Sequence, residues 1–218
     1  MLRLLAIDLL AGAVLMALWF LWFTRVNHKR CAEVLRWIHS AFQAHGQISG
    51  ITWVGLSRFS VRLRLVPGVF QNASLTVQLL PRELPFHWFM SRIRKQQETL
   101  TFDADLDYAP TFNLQVQNHR WCGRTRKKLN PSGKGWNTER TGPFVLTTRT
   151  DWQREITTMM NALVASRESD CLSVSFRRTS PHFSATVLLR SISPESETET
   201  AIFDVLRELA AGASASRF

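Results

Sequence analysis

Residues 4–23 read LLAIDLLAGAVLMALWFLWF, and this stretch divides the chain into two unlike parts. Its 20 residues carry a single charge, Asp8. At about 1.5 Å of rise per residue they cross the roughly 30 Å hydrocarbon layer of a bilayer as one helix. A helix is the form required there, because no water is present to satisfy backbone amides. Asp8 stands one turn inside the leading end, within reach of the headgroups. Trp19, Phe20, Trp22 and Phe23 crowd the trailing end, as an aromatic belt does at a membrane–water interface. Residues 1–24 are therefore expected to form a retained transmembrane anchor. Only Arg3 precedes the run, the run is longer than the apolar region of a signal peptide, and no small-x-small cleavage site follows it.

Arg25, Lys29, Arg30 and Arg36 follow the apolar run, whereas Arg3 and the amino terminus precede it. The positive-inside rule then predicts a cytoplasmic domain with the N-terminus outside. Residues 25–46 keep a helical period through Val26, Ala32, Val34, Leu35, Ile38, Ala41 and Phe42, which predicts a juxtamembrane amphipathic helix continuing the anchor. Gly46 is the expected stop. Cys31 falls one to two turns beyond the membrane, where a thiol can be lipidated.

The period then changes to two. Phe59, Val61, Leu63 and Leu65 alternate with Ser60, Arg62 and Arg64, and Pro67 and Gly68 end that strand. Leu75, Val77 and Leu79 mark a hairpin partner across a loop at residues 69–73. Residues 86–97 read as a short helix bearing Trp88, Phe89 and Ile93, expected to pack on the core with Arg92, Arg94 and Lys95 outward; a second membrane contact is the other reading. Leu100, Phe102, Ala104 and Leu106 alternate with Asp103, Asp105 and Asp107. Phe112, Leu114 and Val116 form a further strand, with the turn between the two at residues 108–110.

Residues 144–148 are an expected strand. Thr150 opens a helix with a Thr-x-x-Gln capping box. Residues 172–176 and 183–189 form a second hairpin, with Cys171 a small buried residue at its start. Ser193, Pro194, Glu195 and Glu197 open a last helix, followed by a small-residue tail at residues 213–218. Hairpins alternating with single helices define an α+β fold: one transmembrane helix followed by a mixed or antiparallel sheet domain over residues 47–212.

The net charge is +10, and 45% of residues are apolar, enough to bury a real core. The charge concentrates in residues 119–142, read as a long loop. Arg120, Arg124, Arg126, Lys127, Lys128, Lys134 and Arg140 stand there against Glu139 alone, with Trp121 and Trp136 between them. This composition suits anionic lipid headgroups or an acidic protein partner, and nucleic acid less well, because the anchor holds the domain beside a bilayer.

No sequence motif names a catalytic residue, metal or cofactor. Asp103, Asp105 and Asp107 begin like a calcium loop, but Tyr108 and Leu114 occupy the positions that need Gly and Glu. Gly133–Lys134–Gly135 lacks the hydroxyl residue of a phosphate-binding loop. The six histidines have no ligand spacing, and His182 is expected in an exposed turn. The three acids are expected on one solvated face, pairing with Arg62 and Arg64. Asn72–Ala73–Ser74 is a glycosylation sequon. The expectation is a non-enzymatic interaction module at a membrane surface. The alternatives are an anchored hydrolase or transferase without a linear motif, and a subunit of an envelope or secretion assembly.

Overall fold

The computed structural model describes residues 2–43, 46–65, 69–110, 112–118, 136–141, 144–149 and 171–189, with Arg207 and Ala210. A single helix, α1 (Leu2–Phe42), runs 41 residues without interruption, about 60 Å at the ordinary helical rise. Residues 3–18 are exposed on every side. From Trp19 onward the same helix packs on protein, and Cys31, Val34, Trp37, Ile38, Ala41 and Phe42 are buried. Of the period-3.6 stripe read from the sequence, Val34, Ile38, Ala41 and Phe42 are buried and Val26 and Leu35 partly so, whereas Ala32 is exposed and Cys31 and Trp37 join the buried face instead.

Among the described residues nine strands form one sheet: β1 (Gly46–Trp53), β2 (Arg58–Leu65), β3 (Phe70–Gln78), β4 (Thr99–Leu106), β5 (Leu114–Asn118), β6 (Trp136–Thr141), β7 (Phe144–Arg149), β8 (Cys171–Phe176) and β9 (Phe183–Leu188). A second helix, α2 (Pro85–Ile93), lies between β3 and β4. The strand order is β1-β2-β3-β4-β9-β8-β5-β7-β6, and every pairing is antiparallel. The fold is α+β, with the long apolar helix at its start.

Alternation decides which face is core. Val61, Leu75, Phe102, Ala185, Val174 and Val116 stand in register across six strands, and all are buried. Phe102 stacks on Phe42 of α1 at 6.3 Å between ring centres. Phe70, Phe176 and Phe183 gather at one end of the row, with 5.0 Å between the rings of Phe176 and Phe183. On the opposite face Arg62, Ser74, Asp103 and Ser184 form a polar row.

Several expectations need correction. Gly46 does not stop the helix; it opens β1, where a Cβ would come within 2.5 Å of the Arg64 carbonyl oxygen. The β2–β3 loop does not extend to residue 73, because β3 begins at Phe70, which is buried with Ala73. The loop at residues 119–142 is shortened by β6, so Arg140 stands on a strand opposite Val145. β4 and β5 are not a hairpin; β9 and β8 lie between them. Two side chains hold the β8–β9 turn in that gap: Leu106 N–H donates to His182 Nδ1 at 3.3 Å, and Arg178 N–H donates to Asn113 Oδ1 at 3.1 Å. His182 is thus half-buried and bonded rather than exposed. The helix expected from Thr150, most of the one expected from Ser193, and the tail lie outside the described residues, although Arg207 and Ala210 are helical and Ala210 is buried.

Candidate membrane-contact site

The region where α1 changes from uncovered to packed is built by three segments. Trp19 Nε1–H donates to the Arg82 carbonyl oxygen at 3.1 Å. One turn further on, Phe23 lies against the Trp19 ring at 4.5 Å. Asn27 Nδ2 then donates to Glu83 Oε1 at 2.8 Å in a buried contact. Arg82 in turn donates to Glu98 Oε1 at 2.8 Å, and Arg30 stands 3.8 Å from Glu98 Oε2. A buried carboxylate is stable only where charge or hydrogen bonds compensate its lost hydration. Glu83 and Glu98 find that compensation from α1 and from their own segment, so residues 82–84 are tied along the helix.

This clasp sets the position of α2. Pro85 starts the helix at N1, where its missing N–H costs nothing. Trp88 points back at α1 and stands edge-on to Trp19, with ring centres 5.9 Å apart. The guanidinium of Arg92 lies 5.6 Å over the Trp88 ring, a cation–π distance. Ser91 is the buried member of the helix and donates to the Trp88 carbonyl oxygen. The apolar stripe faces the other way: Phe86 is 69% exposed, Phe89 56% and Ile93 57%. The expectation of a core-packing helix is therefore overturned. The clasp spends the inward side of α2 on Trp88 and Ser91, leaving the stripe outside.

The β1–β2 hairpin reaches the same region from another side. Trp53 packs on Phe59 at 5.3 Å and lies 5.8 Å from the His28 ring of α1. Beyond Trp53 the turn carries Val54 and Leu56, both exposed, as are Ile51 and Trp53 itself.

Cys31 does not face lipid. It is buried beside the clasp, and burial, with the nearby Glu98 and Glu83 carboxylates, pushes its thiol up to about 11. A thiol held protonated and covered is a poor acceptor for an acyl group.

On the far side of the sheet a groove of about 730 Å³ is lined by Ser49, Arg62, Arg64, Asn72, Asp103 and Asp105 among others. Arg62 and Asp103 both pair with Ser74, from opposite sides, so two strand spacings, about 10 Å, separate them. No ion pair joins the two arginines to these acids among the described residues, and the expected pairing is not made. Asp105 accepts from Ser180 Oγ at 2.7 Å and stands 4.0 Å from His182 Nδ1. Ser180, His182 and Asp105 are nevertheless not wired as a catalytic triad. The serine bonds the acid instead of the imidazole, and His182 Nδ1 accepts the Leu106 amide. Among the described residues no group of three His, Cys, Asp or Glu is placed to hold a metal ion.

Of the basic residues singled out from the sequence, Arg120, Arg124, Arg126, Lys127, Lys128 and Lys134 lie outside the described residues, and of Arg140 only the strand placement is described. Sequence reading missed the Asn27–Glu83 contact and the outward hairpin residues. Asn27 and Glu83 are 56 positions apart, and no local pattern links them. One helix of the described chain is long and apolar enough to cross a membrane. No known protein family and no curated protein matches the sequence.

Proposed function

We propose that this chain is a single-pass membrane protein whose basic domain works as a non-enzymatic interaction module at the membrane surface. One observation carries the reading: α1 is bare over residues 3–18 and built into the domain from Trp19 onward. An apolar helix left bare in water forfeits the hydrophobic free energy of its whole circumference, and a bilayer restores it. The bare stretch with its aromatic end matches the thickness of the hydrocarbon layer.

The cations after the span support a cytoplasmic domain. Arg25 and Lys29 on α1 are exposed beside the proposed interface, where the anionic leaflet lies. Arg120, Arg124, Arg126, Lys127, Lys128, Lys134 and Arg140 supply positive charge that would attract lipid headgroups or an acidic protein.

Alkaline carbonate washing of membranes bearing the full chain tests the anchor. Retention in the pellet is expected, and release into the supernatant overturns the proposal. Protease added to sealed right-side-out vesicles is expected to spare the domain, whereas digestion reverses the orientation. Flotation on anionic vesicles is expected to weaken when Arg126, Lys127 and Lys128 are replaced by Ala; unchanged, salt-insensitive binding removes the headgroup role.

A further inference from the structure

We infer that α2 and the tip of the β1–β2 hairpin are membrane elements in their own right, lying in the headgroup–acyl boundary and holding the domain on the bilayer in one pose. The inference rests on the anchor reading and adds to it the depth and orientation of the domain.

Consider α2 first. Phe86, Phe89 and Ile93 recur at the i, i+3, i+7 spacing of one helix face, and all three are exposed. A surface helix of a water-bathed domain turns such a stripe toward the core. Here the protein-facing side is already occupied by Trp88 and Ser91. Arg92, Arg94 and Lys95 stand at the end of the helix. Large apolar residues on one side with cations beside them make up a helix that lies in the plane of an interface.

Depth follows from contact with α1. Trp88 meets Trp19, and Trp19 lies four residues, about 6 Å, inside the end of the apolar run at Phe23. Thus α2 sits at the level where acyl chains give way to headgroups. A water-soluble partner covering Phe86 and Phe89 would have to enter the apolar span to do so, and lipid is already there.

The hairpin comes to the same level independently. β1 starts just after the distal end of α1 and returns along it, bringing Trp53 to His28. His28 is five residues, about 7.5 Å, beyond Phe23. The turn beyond Trp53 continues toward the bilayer, so Val54 and Leu56 reach the headgroup layer. Helix, hairpin tip and anchor give three points of contact, which fix a plane; an anchor alone leaves the domain free to swing.

The test places the photoreactive residue benzoylphenylalanine in the full chain in membranes, by Phe86→benzoylphenylalanine, Phe89→benzoylphenylalanine or Val54→benzoylphenylalanine. All three side chains are exposed, so the substitutions leave the core intact. Tyr108, exposed at the opposite end of β4, takes the same substitution as control. Lipid adducts are expected at the first three positions and their loss at Tyr108. Adducts to another protein at Phe86 and Phe89, or no lipid adduct at any of the three, overturn the inference. Carbonate washing of the same membranes separates the failures: a chain that washes out sinks the anchor, whereas one that stays without lipid adducts sinks only the pose.

Discussion

Trp88 of α2 meets Trp19 of α1 edge-on, with 5.9 Å between ring centres. The contact joins a residue of the apolar run to a residue of the folded domain, and so fixes where the domain stands along α1. The Trp19 indole N–H is used as well, donating to the Arg82 carbonyl oxygen. Replacing Trp88 and Trp19 by Ala, each alone and both together, is expected to give a coupling of about 0.5–1.5 kcal/mol for the aromatic pair. Denaturant unfolding of the full chain in nanodiscs measures it. A coupling indistinguishable from zero means that the two rings adjoin without holding α2.

Glu83 is buried and accepts from Asn27. Glu83→Ala removes the acceptor and leaves the buried amide unsatisfied, an expected cost of about 1–3 kcal/mol. Glu83→Gln keeps an acceptor oxygen and is expected to cost clearly less. Equal losses from both variants would show that the charge, not the hydrogen bond, is what α1 requires.

Cys31 has its thiol raised from 9.0 to about 11, chiefly by burial and then by Glu98 and Glu83. At pH 8 only about one thiol in a thousand is then ionised, so iodoacetamide is expected to spare Cys31 in the folded chain and modify it on denaturation. The folded state keeps a proton that the unfolded chain releases. The stabilising difference is therefore complete below pH 9.0 and fades as pH rises toward about 11. Comparison with Cys31→Ala isolates this slope, because the variant lacks it; identical alkaline profiles would remove the assignment.

Two phenylalanines separate core from collar. Phe183 is fully buried among Phe70, Phe102 and Phe176, and Phe183→Ala is expected to cost about 3–5 kcal/mol. Phe86 is exposed, and Phe86→Ala is expected to shift folding stability by no more than about 0.5 kcal/mol. Thermal unfolding in nanodiscs reads both. A large loss from Phe86→Ala would mean that the side chain packs on protein after all.

Much of this molecule was legible before its structure. Composition alone marked residues 4–23 as apolar enough to span a bilayer, because hydrocarbon thickness sets length and lipid tolerates almost no charge. Strict alternation located β2, β3 and β4 and named their buried faces, since side chains of a strand point to opposite sides. β1 escaped notice for a physical reason: its register shifts between Ile48 and Gly50, which breaks the period-two signal at that point. β6 escaped because Trp136 is the one apolar residue in WNTERT.

Tertiary structure decided the rest. β4 and β5 follow one another in the chain, yet β9 and β8 lie between them. There Asn113 and His182 accept amides from segments 65 and 76 residues away, and no local pattern encodes a partner so distant. The helical period of α2 likewise put Phe86, Phe89 and Ile93 on one stripe without saying which way it faces. Periodicity records which side chains lie together; only the Trp19–Trp88 and Asn27–Glu83 contacts, by occupying the inner side of the clasp, turned that stripe outward.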